Sequence, residues 1–197
     1  MGASLAAHEE ARRLDPTVPT SAEYSVLLLG DSERLATMDA PLDFNGAHGY
    51  LLMYLGKVDE MRKLLGNTNV DHMPPGYRGM IEAIRAMPAD PTVTLAAMDD
   101  AMAIGAKEDP EAVFLVALTA ALLGVPDRAV QMIDEAIMNG YTPVHALVHA
   151  PVLDNIRAHP TFQAALERAR ARQRIALAIF ERGDGPSLLG ISAGHAV

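Results

Sequence analysis

Asp109-Pro110-Glu111-Ala112-Val113-Phe114-Leu115-Val116-Ala117-Leu118-Thr119-Ala120-Ala121-Leu122-Leu123-Gly124-Val125-Pro126-Asp127 is the stretch that decides the fold. Asp109 is a helix N-cap residue, and Pro110 suits the first helical position, where its missing N–H leaves no bond unmade. Ala112 to Leu123 is almost wholly apolar. A helix apolar on all sides is covered on more than one of them, which suits the interior of a stack. Gly124 turns the chain, and Pro126-Asp127 opens a helix to Met138 that ends at Asn139-Gly140. The stretch reads as a helical hairpin.

The hairpin recurs. Gly56, Asp90 and Gly124 fall 34 residues apart, each between two apolar, helix-like stretches. Seven residues before each break is a small side chain (Gly49, Ala83, Ala117), and five after each is an apolar one (Met61, Leu95, Ala129). Helices that cross at close range leave no room for a branched side chain at the crossing point. A 34-residue period of this kind predicts stacked helix pairs.

Working outward, residues 3–14 read as a helix stopped by Asp15-Pro16, because the residue before proline is pushed out of helical angles. Helix pairs are predicted at about 20–38, 45–65, 76–105 and 110–139, with loop at 40–45 and capping helices over 143–181. The last helix, from 160, carries an apolar stripe at Phe162, Leu166, Ala169, Ile175 and Ile179. It reads as the long cap that an open stack needs over its final hydrophobic face. Residues 1–182 form one predicted all-α domain, and 183–197 a tail ordered only where Leu188-Leu189 finds a pocket.

Composition agrees with a helical globule. Half of the 197 residues are apolar and 5% are aromatic, a mix that favours helices packed by small side chains over a sheet. Cysteine is absent, which excludes a disulfide framework or a thiolate metal site. The start, Met1-Gly2-Ala3-Ser4-Leu5-Ala6-Ala7, lacks the pattern of a signal peptide, and no stretch approaches a membrane span. A cytoplasmic location with no membrane partner is therefore expected. The net charge of −9 argues against nucleic acid as a partner.

Several segments carry a resemblance. His8-Glu9-Glu10-Ala11-Arg12-Arg13-Leu14-Asp15-Pro16 looks like the end of a repeat's second helix, and Leu28-Leu29-Gly30-Asp31-Ser32-Glu33-Arg34 like an inter-helix turn. Asp109 to Ala136 fits a whole repeat. The closing run of Asn139-Gly140-Tyr141, Pro151-Val152-Leu153-Asp154 and His159-Pro160-Thr161-Phe162 is also distinctive. Together they resemble tetratricopeptide repeats, in the C-terminal part of bacterial regulators in which a DNA-binding, kinase or cyclase domain precedes the repeats. The resemblance implies an α-α superhelix and a non-catalytic binding or sensing role. Two departures stand out: Asp90 replaces a turn glycine, and Gly30 and Gly56 are only 26 residues apart, which predicts a shortened second hairpin. The chain also opens on what looks like a second helix, so a longer parent protein is expected.

In such stacks the first helix of each pair lines the concave face. That rule places Tyr24, Leu27, Tyr50, Met53, Tyr54, Tyr77, Met80, Ile84, Phe114 and Leu118 on or near a groove. The groove would be apolar and nearly free of charge, a seat for a helix or an extended apolar peptide. The same stripe also fits plain inter-helix packing, or a groove filled by the chain's own C-terminal helix or tail. A homodimer through exposed apolar faces is the alternative to a peptide partner.

Candidates for chemistry are sparse, and no enzyme, cofactor or metal is expected. His145 and His149 share a helix face, but Ala146-Leu147-Val148 between them supplies no acid, so the metalloprotease pattern fails and structural histidines are expected. Asp99-Asp100 and Asp134-Glu135 are adjacent on helices and diverge, which fits a solvated face. Arg168, Arg170, Arg172 and Arg174 have no interleaved aromatics for base stacking and read as an exposed helix face. Gly183-Asp184-Gly185-Pro186-Ser187 has no lysine and no preceding strand, so it is not a phosphate loop.

Overall fold

Two glycines bend the chain in the same way. Gly56 has φ +71° and Gly124 φ +72°, a left-handed conformation that glycine reaches without a Cβ penalty. Around each, the last turn of the preceding helix closes with one pair of bonds. Lys57 N–H donates to Leu52 O at 2.8 Å and Gly56 N–H to Met53 O at 2.9 Å. Val125 N–H donates likewise to Ala120 O at 2.9 Å and Gly124 N–H to Ala121 O at 3.1 Å. The sequence pattern thus becomes a shared capping geometry that satisfies otherwise orphaned carbonyls.

These turns belong to a computed structural model that describes residues 2–16, 22, 25–26, 31, 34, 46–71, 73–87 and 90–188. Among them every regular element is helical. In order they are α1 (Gly2–Leu14), α2 (Gly46–Tyr54), α3 (Val58–Gly66), α4 (Pro75–Arg85) and α5 (Pro91–Ala101). A π-helical turn (Met102–Ala106) precedes α6 (Pro110–Leu122), α7 (Pro126–Met138) and α8 (Val144–His149). A 3-10 turn (Pro151–Leu153), α9 (Pro160–Arg182) and the short α10 (Gly185–Leu188) complete the chain. Consecutive helices pack as the hairpins α2–α3, α4–α5 and α6–α7; α2 and α5 also pack on α6, α3 on α4, and α9 on α7. Most of the first expected pair, at 20–38, and the loop at 40–45 lie outside the described residues.

The middle hairpin turns differently because Asp90 stands where the others have glycine. Its backbone is extended (φ −92°, ψ 110°), and its carboxylate accepts from Thr92 N–H at 2.8 Å and Thr92 Oγ1 at 2.7 Å. Asp90 is therefore the N-cap of α5, with Pro91 at the first helical position. The helix expected to run on to 105 stops at Ala101 and widens into the π turn, which closes where Lys107 N–H donates to Met102 O at 3.0 Å.

The small residues mark the crossings. A Cβ on Gly49 would stand 2.8 Å from Leu65 Cδ2, across the α2–α3 pair. Ala83 and Ala117 are buried, and so are Met61, Leu95 and Ala129 after the breaks. The α4–α5 crossing is as tight, with Gly79 set so that a Cβ would lie 2.8 Å from Ala101 Cβ. From Ala112 to Ala121, α6 is buried without interruption, the central helix that its composition predicts. Ala117→Leu should cost ~1–3 kcal/mol by overpacking this helix; a urea melt with no loss of stability would show slack around Ala117.

Arginines fasten successive units. Arg85 on α4 donates to Leu65 O at 2.6 Å and to Thr68 O, at the end of α3. Arg172 on α9 donates to Ile137 O and to Met138 O (3.2 Å), the last carbonyls of α7. Arg157, before α9, donates to Leu147 O (2.6 Å), Val148 O and Ala150 O (2.6 Å) at the end of α8. Each adds a charged donor to carbonyls at or just past a helix C-terminus, some of which (Leu65 O, Ile137 O, Ala150 O) also accept one backbone N–H from the turn that follows, and a positive charge there suits the dipole.

The apolar stripe of α9 divides. Phe162, Leu166 and Ala169 are buried, whereas Ile175 and Ile179 are 61% and 57% exposed. Only the first half of α9 is a lid over α7. Beyond it, Gly185 of α10 folds back against the Phe180 ring.

Candidate functional site

Where α2 passes α6, the surface opens into a shallow recess. Tyr50 and Tyr54 of α2 form one wall, and Glu111, Phe114, Leu115 and Leu118 of α6 form the other. Tyr141, just after α7, closes the end. The space is shallow and continuous with solvent, and it has room for no more than the tip of one side chain.

Helical spacing builds the α6 wall, since Glu111, Phe114, Leu115 and Leu118 lie three, four and seven residues apart on one face. Tyr141 is positioned by the turn at Gly140, where Tyr141 N–H donates to Ala136 O at 3.0 Å. Its ring meets Phe114 with centroids 5.4 Å apart and planes at 54°, so the two rings form a corner. Below the recess Thr119 Oγ1 bonds to Met53 Sδ at 3.5 Å and to Leu115 O at 3.0 Å, which links α2 to α6.

Glu111 is the one acid of the lining. Asp109 caps α6 through Glu111 N–H at 2.8 Å, and this holds the Glu111 side chain over the recess. Burial, then the nearby Asp109 carboxylate, pushes the Glu111 carboxyl above the ordinary value of 4.5. No offsetting cation or hydrogen-bond donor among the described residues contributes to that shift. Tyr54 is also raised, by burial, with the Arg157 charge acting against it.

For an acid whose folded pKa is raised, the folded state holds the proton more firmly than the unfolded chain. The cost of the ionised Glu111 is thus present at neutral pH and is relieved as pH falls through the raised value toward 4.5. Glu111→Gln should therefore raise the melting temperature at pH 7, with the gain shrinking to nothing near pH 4. The groups facing Glu111 (Asp109, Tyr77, Tyr50, Tyr54 and Tyr141) are common to both proteins, so the wild-type-minus-variant difference isolates this carboxyl. A gain that persists unchanged at low pH would refute the assignment.

The expected groove residues divide into three sets. Tyr50, Tyr54, Phe114 and Leu118 come together in the recess. Met53, Met80 and Ile84 are buried between helices and are not among the residues that line this recess. Tyr77 on α4 is half-buried and donates its hydroxyl to Asp109 Oδ2, tying α4 to the start of α6, and burial with this bond pushes its pKa well up. Tyr24 and Leu27 lie outside the described residues. Among the described residues, the part of the expected groove that comes together is this recess, with Tyr141 at its end.

Glu111, Leu115 and Tyr141 escaped the sequence reading. The signal for the first two was present, since both share the Phe114–Leu118 face. Tyr141 follows a turn glycine, and nothing in its spacing points back to Phe114.

The remaining candidates are placed as follows. The rings of His145 and His149 lie 4.5 Å apart at 42°, and no group of three His, Asp or Glu gathers among the described residues. Asp99 pairs with Arg128 and Asp134 with Arg168, across helices, so these acids are not merely solvated. The arginine run of α9 is not one exposed face: Arg168 and Arg172 turn onto α7, and Arg170 pairs with Glu167 at 2.6 Å. No helix of the described residues is long and apolar enough to cross a membrane. Comparison with family models, with curated proteins and with solved structures gives no match.

Proposed function

We propose that this chain is a non-catalytic binding module, a tetratricopeptide-like α-α superhelix that serves as the cytoplasmic regulatory part of a longer bacterial regulator. It takes a protein or peptide partner on the face that carries the aromatic recess. The observation that carries the reading is that side-chain bonds between units recur at about one repeat length. Arg128 reaches Asp99 across 29 residues, Tyr77 reaches Asp109 across 32, Arg168 reaches Asp134 across 34 and Arg172 reaches Ile137 across 35. Bonds of this span join one unit to the next, as in a solenoid, whose use is its surface; the contact of α2 with α6 and the Thr119–Met53 bond across 66 residues join units two apart as well.

The test is an array of defined peptides probed with the purified chain and with Tyr141→Ala, whose folding is checked by circular dichroism. Tyr141 stands at the rim and is half-buried, so its removal should abolish peptide binding and spare the helices. Absence of any ligand, or a ligand indifferent to Tyr141→Ala, would overturn the reading.

The second half of α9 supports one alternative. Ile175, Leu177 and Ile179 are exposed together, a surface that a homodimer would cover. Light scattering at high concentration, with Ile175→Glu as control, distinguishes a dimer from a monomer.

A further inference from the structure

We propose that the recess between α2, α6 and Tyr141 seats an alkylammonium group, the head of a lysine side chain on a basic peptide. The inference rests on the reading of this chain as a binding module and names the chemistry that the module selects.

The lining is unusual for an apolar contact. Four aromatic rings (Tyr50, Tyr54, Phe114 and Tyr141) surround the space, and one carboxylate, Glu111, stands among them. A ring face is negative and attracts a cation within about 6 Å of its centre. Phe114 and Tyr141 pack on each other at a tilt of 54° with centroids 5.4 Å apart, and both line the space together with Tyr50 and Tyr54. An aromatic corner that closes on an acid is complementary to a compact positive charge borne on an apolar stem. An apolar helix would leave Glu111 desolvated against it, at the cost of a buried charge with no partner. A lysine head supplies that partner, and its methylene stem matches Leu115 and Leu118.

The nearest positive charge does not compete for the site. Arg157, which acts on Tyr54, is committed to three backbone carbonyls and to Asp154 at 2.9 Å. The wider field also favours a basic partner, since the chain carries a net charge of −9. The recess is small, so it admits one side-chain head and not a folded surface.

The test uses the full chain and two matched pairs of probes. n-Butylammonium and n-butanol share a stem and differ in charge; an alanine pentapeptide with a central lysine is compared with its norleucine counterpart. Binding is followed by the ring-proton NMR signals of Tyr50, Tyr54 and Tyr141. Butylammonium should shift these signals at least about ten-fold more tightly than butanol, and the lysine peptide should bind where the norleucine peptide does not. Glu111→Gln should weaken both cationic probes about ten-fold and leave butanol unchanged. Phe114→Leu, which keeps an apolar side chain and removes a ring face, should weaken butylammonium several-fold while butanol is little affected.

Equal affinity of the charged and neutral members of each pair, or indifference to Glu111→Gln, would overturn the ammonium seat while leaving a peptide-binding module standing. Butylammonium binding with no peptide binding would overturn the peptide as its source. Failure of every probe to move the three tyrosines, together with a blank peptide array, would remove both this inference and the module beneath it.

Discussion

Arg157→Ala should lower the unfolding free energy by about 3 kcal/mol, the largest loss expected from any single side-chain deletion outside the apolar core. The guanidinium reaches Leu147 O, Val148 O and Ala150 O, and its Nε donates to Asp154 Oδ1 at 2.9 Å. Hydrogen bonds to a charged group are worth about 1.5–3 kcal/mol each. A simple sum would overshoot, because the side chain is 26% exposed and water can replace part of what is lost. The carbonyls themselves end α8, a helix of six residues whose last turn is otherwise closed by Ala150 N–H to Ala146 O at 2.8 Å and by Leu153 N–H to Ala150 O at 3.0 Å. Urea unfolding should show the loss as a shifted midpoint at constant slope. Arg157→Lys should recover little of it, since a single ammonium cannot span three carbonyls and an acid. A loss below about 0.5 kcal/mol, the level of an ordinary surface change, would mean that water caps α8 equally well.

Gly76→Val should destabilise by about 3 kcal/mol, through sterics alone. A Cβ at this position would stand 2.9 Å from Ala101 O, 3.1 Å from Ala106 N and 3.3 Å from Ala106 Cβ. Two of these neighbours are backbone at the junction of α5 with the π turn, where no rotamer change gives relief. A valine adds two methyl groups to that clash and is stiff at χ1. Gly66 provides the control, because a Cβ there meets nothing within 4 Å; Gly66→Ala should leave the melt nearly unchanged. If Gly76→Val melts with the wild type, α4 can slide on α5 and the close crossing is not a constraint.

How far the sequence reaches is clear from these residues. Gly56 and Gly124 were legible because a turn glycine is a local necessity, set by its own φ. Ala117 and Gly49 were legible because the period repeats them. Gly76 and Gly79 were not: they sit two turns and one turn before Ala83, and only the approach of Ala101 explains why the two are glycine. The arginine caps were invisible for the same reason. Arg85, Arg157 and Arg172 look like ordinary surface cations until a helix end from 7 to 35 residues earlier is brought under them. The aromatic stripe divided for a related cause, since Met53 and Tyr50 are three residues apart on α2 yet only Tyr50 reaches an opening. Pattern fixes which side of a helix is apolar; which part of that side meets a neighbour depends on where the neighbour ends.

The arginine caps all point one way along the chain: each lies downstream of the carbonyls it covers. Truncation from the amino end would therefore remove hairpins and strip no helix terminus of its lid. Truncation from the carboxyl end would bare α7 as Arg172 goes, then α8 with Arg157, then α3 with Arg85, each time exposing the C-terminus of a helix that remains. The stack has a polarity of its own, and α9 stands guard over α7 two helices before it.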